Sequence, residues 1–243
     1  MKGVILAGGS GTRLRPLTTV VNKHLLPVGK FPMIHYSLEK LHSAGIREVM
    51  IVTGAQSIGL YAAYIGSGAE RGMKVHYAVQ DEAGGIAQAL GLAESFIGDD
   101  EKFIVLLGDN LFEDSLDPFV KKYESQSSGA MVLLKEVEDP RRYGVAELDG
   151  GRITSIEEKP EHPKSNYSVT GIYMYDPEVF DIVRRIKPSA RGELEITDVN
   201  NVYAEAGTLT YDVLEGWWTD AGTHESLREA ADRLSKDDGE NGK

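Results

Sequence analysis

Short, nearly continuous apolar runs alternate along the chain with longer stretches in which apolar residues recur every third or fourth position. The first kind suits a strand buried on both faces, and the second an amphipathic helix packed against it. Strands are predicted over Val4–Leu6, Glu48–Val52, Lys74–Val79 and Phe103–Leu107, with helices over Met33–Ala44, after Pro32, and Ile86–Phe96. The second half is richer in strands: Ala130–Val137, Gly144–Leu148, Ile153–Glu157, Val169–Tyr175 and Thr208–Val213. Helices are expected there at Pro177–Ile186, Ile196–Ala206 and His224–Leu234, and Asp149-Gly150-Gly151 reads as a hairpin turn. The alternation predicts an α/β fold with a mixed, mainly parallel central sheet flanked by helices. No repeat and no Gly/Ser- or Pro-rich linker divides the chain. Residues 1–234 are therefore expected to form one domain, with halves of about 1–110 and 111–234, followed by a polar, flexible tail at 235–243. In open sheets ligands bind beyond the carboxyl ends of the strands, where Gly8 to Arg13, Gln80 and Asp109 all fall.

Composition narrows the chemistry. With 243 residues, 41% of them hydrophobic, the chain can fill a core, which excludes global disorder. A formal net charge of −12 repels nucleic-acid phosphates, and no stretch concentrates Lys and Arg enough to reverse that locally. Small phosphorylated ligands would need the few cations gathered in one pocket, which draws notice to Arg13, Arg15, Lys23 and Lys30. The absence of cysteine excludes disulfides, thiolate zinc sites and a cysteine nucleophile, and is compatible with a reducing cytoplasm. No apolar run reaches membrane-spanning length, and the one after Met1-Lys2 is too brief for a signal peptide, so a soluble, cytoplasmic protein is expected.

The segment Leu6-Ala7-Gly8-Gly9-Ser10-Gly11-Thr12-Arg13-Leu14-Arg15-Pro16 carries the most information. Glycines directly after a buried strand permit positive φ and bring backbone N–H groups close to an anion. Arg13 adds a planar fork of donors suited to phosphate oxygens. A tight strand-to-helix turn with a surface arginine would look the same. A dinucleotide fingerprint fails because Leu14 stands where its third glycine belongs, and a P-loop fails because His24 and Phe31 flank Gly29-Lys30 wrongly.

Gly-Gly-Ser-Gly-Thr-Arg-Leu-Arg-Pro-Leu-Thr, followed by Asn22-Lys23-His24-Leu25-Leu26-Pro27, resembles the signature of the sugar-1-phosphate nucleotidylyltransferases. The resemblance runs from Val4 to about Leu227 and implies the nucleotide-diphospho-sugar transferase fold, a Rossmann-like sheet with a strand-rich sugar-binding part. It implies that Gly8, Gly9, Gly11 and Thr12 wrap a triphosphate, that Arg13 neutralises the departing pyrophosphate, and that Lys23 contacts the phosphate under attack. Asp109, after an apolar strand, and Asp220, in Trp217-Trp218-Thr219-Asp220, read alone as turn or capping residues or as ligands for a hard cation. The resemblance makes them the Mg²⁺ aspartates. Gln80 with Gly84-Gly85-Ile86-Ala87-Gln88-Ala89 is similar to the base-binding segment of glucose-1-phosphate thymidylyltransferases, with Gln80 and Gly85 contacting the base, although Asp81-Glu82-Ala83 departs from the commoner Pro-containing stretch.

Arg142-Tyr143-Gly144-Val145, Glu157-Glu158-Lys159-Pro160 and Ser168-Val169-Thr170-Gly171 match three further family segments in order. They imply sugar binding by Asn110, Gly144, Glu158, Lys159 and Val169, with Lys159 on the sugar phosphate. Trp218 reads equally as a sugar-side or core tryptophan, and Glu195 as a brace for its loop. The expected reaction is Mg²⁺-dependent transfer from dTTP to glucose 1-phosphate, giving dTDP-glucose and pyrophosphate for deoxysugar or polysaccharide biosynthesis. Alternatives are UTP or GTP as donor, another sugar 1-phosphate, a non-catalytic nucleotide-sugar sensor, and a glycosyltransferase using Asp109 as its metal ligand. No nucleic-acid or membrane partner is expected, and a homo-oligomer is allowed. The chain is shorter than many bacterial thymidylyltransferases, so regulation through their extra C-terminal helices is not expected.

Overall fold

The computed structural model describes residues 1–240, with side chains through Ser235. The strands are β1 (Lys2–Leu6), β2 (Pro27–Val28), β3 (Phe31–Pro32), β4 (Glu48–Gly54), β5 (Lys74–Gln80), β6 (Phe103–Leu107), β7 (Asn110–Phe112), β8 (Ala130–Glu136), β9 (Gly144–Asp149), β10 (Arg152–Glu158), β11 (Tyr167–Tyr175), β12 (Leu209–Val213) and β13 (Trp218–Asp220). The helices are α1 (Met33–Ser43), α2 (Ile58–Ile65), α3 (Ile86–Gly91), α4 (Asp117–Ser125), α5 (Glu178–Arg185), α6 (Ile196–Glu205) and α7 (His224–Glu240).

Nine strands share one sheet with the path β10-β9-β11-β6-β1-β4-β5, to which β8 adds beside β11 and β12 beside β8. The stretch β6-β1-β4-β5 is parallel throughout. Antiparallel pairings enter with β11, which runs against β6, β8 and β9. Because side chains alternate across a strand, Val4 and Leu6 enter one core and Ile5 the other. The first core packs under α3, α5 and α6, and the second under α1, α2 and α4. The expected hairpin joins β9 to β10 through Gly150 and Gly151, at φ 54° and 78°, with Asp149 opposite Arg152.

Two expected boundaries differ by more than two residues. The helix from Ile86 ends at Gly91 rather than Phe96, because Leu92, Ala93 and Glu94 donate to the third residue before them and tighten the chain into successive turns. The last helix continues past Leu234 to Glu240 where a flexible tail was expected, and Ser235 Oγ bonds the Ala231 carbonyl at 2.8 Å. Residues 235–240 are polar all round, so apolar periodicity carried no signal there; the part of the expected tail at 241–243 lies outside the described residues. The short strands β2, β3, β7 and β13 and the helices α2 and α4 were not anticipated. No helix among the described residues is long and apolar enough to cross a membrane.

The feature that makes the site is a break in the sheet. Along one edge β11 pairs with β8 over Tyr167–Val169 and again over Tyr173–Tyr175, with a register shift between; along the other it pairs with β6 through Ile172–Tyr175 and with β9 only at Ser168. Strands β6 and β9 therefore follow one another along the same edge of β11, and Asn110 occupies the gap between them by accepting the Gly171 N–H at 2.8 Å. A Cβ on Gly171 would lie 2.5 Å from Asn110 Nδ2, so glycine is required for this approach.

Candidate active site

The chain leaves β1 through Gly9 and Gly11, whose φ of 87° and 58° lie in the left-handed region. A cavity of about 220 Å³ opens beside this turn, with Gly8, Gly9, Lys23, Gln80, Gly85 and Asp109 on its wall and Leu6, Ile86, Ala89 and Leu107 as its apolar floor. Gly8 admits Gln80: a Cβ there would lie 2.7 Å from Gln80 Oε1. The amide nitrogen of Gln80 donates to Gln88 Oε1 at 2.6 Å and to the Gly85 carbonyl at 3.2 Å. Gly11 and Thr12 stand off the cavity walls. Gly11 is packed so closely on the Lys23 stem that a Cβ would lie 3.2 Å from Lys23 Cβ, and its carbonyl accepts from Leu14 and Thr18.

At the centre Lys23 Nζ bonds Asp109 Oδ2, both side chains being largely buried. Beneath them His24 is buried, with Nδ1 2.7 Å from Asn22 Oδ1. Burial first, and then the Lys23 charge, push its pKa down to about 3, so the ring is neutral at physiological pH. Asp220 arrives on β13, which pairs antiparallel with β7 so that Asp220 lies opposite Asn110. Its Oδ2 is 4.0 Å from Arg13 Nη2. Burial, and then the nearby Asp109 charge, raise its pKa to about 6. For Asp109 burial works in the same direction, but the Lys23 ammonium and the hydrogen bonds from Lys23 and Asn110 outweigh it and hold the carboxyl well below the usual range. Asp220 Oδ1 is buried and has no hydrogen-bond partner among the described residues.

A second cavity of about 240 Å³ begins where the first ends, and Lys23, Ile86, Leu107 and Asp109 border both. Arg13, Asn110, Gly144, Glu158, Lys159, Val169, Trp218 and Asp220 all line it. Lys159 adopts φ 49°, alone among the described non-glycine residues in a positive value. Its N–H donates to the Tyr143 carbonyl at 2.9 Å, and its ammonium lies 3.2 Å from Glu158 Oε1. Backbone held in so sparsely populated a region is a mark of functional sites. Asn110 serves chiefly as a scaffold. Its Oδ1 accepts from Gly171 N and from Trp218 Nε1 at 2.7 Å, and its Nδ2 donates to Asp109 at 3.1 Å. Trp218 thereby both fixes Asn110 and walls the cavity, edge-on to Tyr143 at 5.1 Å.

Three participants had no role assigned from the sequence, although Gln88 lies in the segment singled out there. Gln88 orients Gln80, Thr197 donates to Glu158 Oε2 at 2.8 Å, and Glu193 lines the first cavity. Gln88 and Thr197 act on other side chains across turns of chain that no local spacing encodes. Glu195 accepts from Ser189 and Arg191, which fits the brace expected of it. No group of three or more His, Cys, Asp or Glu gathers around a metal position among the described residues.

Residues 2–237 match the family model described as nucleotidyl transferase. A glucose-1-phosphate thymidylyltransferase of Neisseria meningitidis is 47% identical over 235 residues, covering 95% of this chain and 81% of that one. A Bacillus anthracis crystal structure assigned to a glucose-1-phosphate thymidylyltransferase, with sucrose bound, superposes with a TM-score of 0.93 at 55% identity over 98% of this chain and 96% of that one. A UDP-glucose pyrophosphorylase complexed with UDP-glucose superposes with a TM-score of 0.84 at 28% identity, over 97% and 98% of the two chains.

Proposed function

From the premise that this chain belongs to the nucleotidyl transferase family, we propose that it transfers a thymidylyl group from dTTP to glucose 1-phosphate, giving dTDP-glucose and pyrophosphate. The observation that carries this reading is the shared wall: two cavities meet at Lys23 and Asp109, so a nucleotide in the first and a sugar phosphate in the second would bring their phosphates together there.

The attacking phosphate oxygen is already anionic at neutral pH, so the reaction needs no general base. Its barrier comes from bringing two anions together in line, and positioning with charge neutralisation lowers it. Gly8 and Gly9 offer close backbone approach to the triphosphate, and Gln80 with Gly85 borders the base. Lys23 faces the phosphate under attack, while exposed Arg13 presents its fork to the leaving pyrophosphate. On the sugar side Glu158 accepts hydroxyl bonds, Lys159 holds the sugar phosphate, and Gly144 and Val169 supply backbone contacts.

Asp109 and Asp220 would hold Mg²⁺. The fit rests on the unpartnered, buried Asp220 Oδ1 and on Asp109 and Asp220 lining one cavity, two carboxylates being a donor set that suits a hard cation that takes its other ligands from phosphate and water. When bound, the ion supplies positive charge to the crowded phosphate oxygens. A cytoplasmic location, in keeping with the cysteine-free chain, belongs to the same proposal.

Pyrophosphate release measured over a panel of dTTP, UTP and GTP against several sugar 1-phosphates tests the reading. The dTTP and glucose 1-phosphate pair should give the highest kcat/KM. Nucleotide binding without pyrophosphate from any pair would indicate a sensor, and consumption of nucleotide sugar without pyrophosphate a glycosyltransferase.

A further inference from the structure

The loop before α6, together with the first turn of that helix, touches both cavities at once. On the nucleotide side Leu194 N–H donates to the Gly84 carbonyl at 2.8 Å, and the Leu194 carbonyl accepts from Ala87 N–H at 3.1 Å. The contact is so close that a Cβ on Gly85 would collide with the Leu194 carbonyl, which is why glycine stands there at φ 102°. On the sugar side, three residues later, Thr197 Oγ1 donates to Glu158 Oε2 at 2.8 Å. Ile196 and Thr197 line the sugar cavity and Glu193 the nucleotide cavity, whereas Glu195 itself lines neither.

What fixes this strap is Glu195. Its Oε1 accepts from Ser189 Oγ at 2.7 Å and from Arg191 Nη2 at 2.9 Å, and its Oε2 accepts from the same Nη2 at 3.0 Å. The loop is cross-tied by Ser189 N–H to the Glu193 carbonyl and Gly192 N–H to the Ser189 carbonyl, each at 2.8 Å. The Glu195 side chain is only 12% exposed and that of Arg191 50%, so the part-buried Ser189 bond is the sheltered one, while the ion pair meets water on its arginine side.

We propose that Glu195 is a positioning residue for both halves of the site, and that through residues 189–197 it sets the base-binding turn at Gly84–Ala87 and the sugar-binding carboxylate of Glu158 together. The proposal rests on the thymidylyltransferase reading for the identity of the two substrates. Removing the brace frees both walls at once, although Glu195 touches no substrate.

Steady-state kinetics on the full chain, with dTTP and glucose 1-phosphate varied in turn, decide it. Wild-type turnover is measured first; its absence would defeat the functional reading itself and is thereby distinct from failure of this inference. In Glu195→Gln both KM values should rise together by about fivefold, the scale of a modest coupling between sites, with kcat little changed. Thr197→Val should raise only the glucose 1-phosphate KM, and Thr197→Ser, which keeps the hydroxyl, should restore it. A Glu195→Gln enzyme that folds, judged by its circular dichroism and Tm, and that changes neither KM or only one of them overturns the proposal. If that variant does not fold, Ser189→Ala, which removes one of the bonds to Glu195, takes its place with the same paired rise expected and the same contrary result.

Discussion

Asp220 is held beside Asp109 by backbone pairing. The N–H of Ala221 donates to the Asp109 carbonyl at 2.9 Å, and Asp220 lies opposite Asn110 in the β7–β13 ladder. Neither carboxylate chooses its place: two acids are forced together by main-chain geometry, one relieved by Lys23 and the other left with an orphan oxygen.

Removing the charge of Asp220 should therefore stabilise the metal-free protein while disabling it. A carboxyl pushed from 3.8 to about 6 disfavours its ionised form in the fold by ~2–3 kcal/mol at neutral pH. In Asp220→Asn the Tm without metal should rise, and kcat should fall by about two to three orders of magnitude, as for loss of a charge-stabilising group. Calorimetry with EDTA and a pyrophosphate assay read the two effects.

The pH dependence follows with a definite sign. In the folded chain Asp220 keeps its proton to higher pH than when unfolded, so stability of the metal-free protein falls as pH rises from 3.8 to about 6 and is level above that. Asp109 acts oppositely: its depressed pKa contributes stability above the unfolded value, lost as pH falls below it. The Tm difference between Asp220→Asn and wild type should thus grow between pH 4 and 6 and then plateau.

In the proposed site Mg²⁺ and a proton compete for Asp220. The apparent affinity for Mg²⁺, measured by titration calorimetry, should weaken by about tenfold for each pH unit below the Asp220 pKa and be nearly constant above it. Affinity that does not change between pH 5 and 7 would exclude Asp220 as a ligand.

Lys159 holds a left-handed backbone where it lines the second cavity, the one proposed to take the sugar phosphate. Glycine relieves roughly 1 kcal/mol of strain there and returns a similar amount as unfolded-chain entropy. Lys159→Gly should leave the urea midpoint nearly unchanged, while the KM for glucose 1-phosphate rises about tenfold or more through loss of a charge-assisted phosphate contact.

Asn110→Ala should behave in the contrary way. Without the amide, the buried Gly171 N–H and the Trp218 indole lose their acceptor, at a cost of about 2–4 kcal/mol. Urea unfolding should show that loss even in the absence of substrates, as expected of a scaffold residue.

Much of this molecule was legible locally. The glycine turn after β1 and the apolar run ending at Asp109 are written in consecutive residues, because backbone freedom and strand burial are short-range properties. So were the segments around Gly144, Glu158 and Val169, as family patterns. Tertiary structure alone decided that β6 and β9 share one edge of β11, that Asn110 fills the gap between them, and that Asp220 lies opposite Asn110 on a strand of three residues. It also decided that Gly85 is glycine to admit Leu194, and that Thr197 serves Glu158. These are pairings between segments far apart in the chain: Trp218 and Asn110 are separated by 108 positions. Periodicity reports which face of an element is buried, whereas the partner on that face is chosen by packing of the whole sheet.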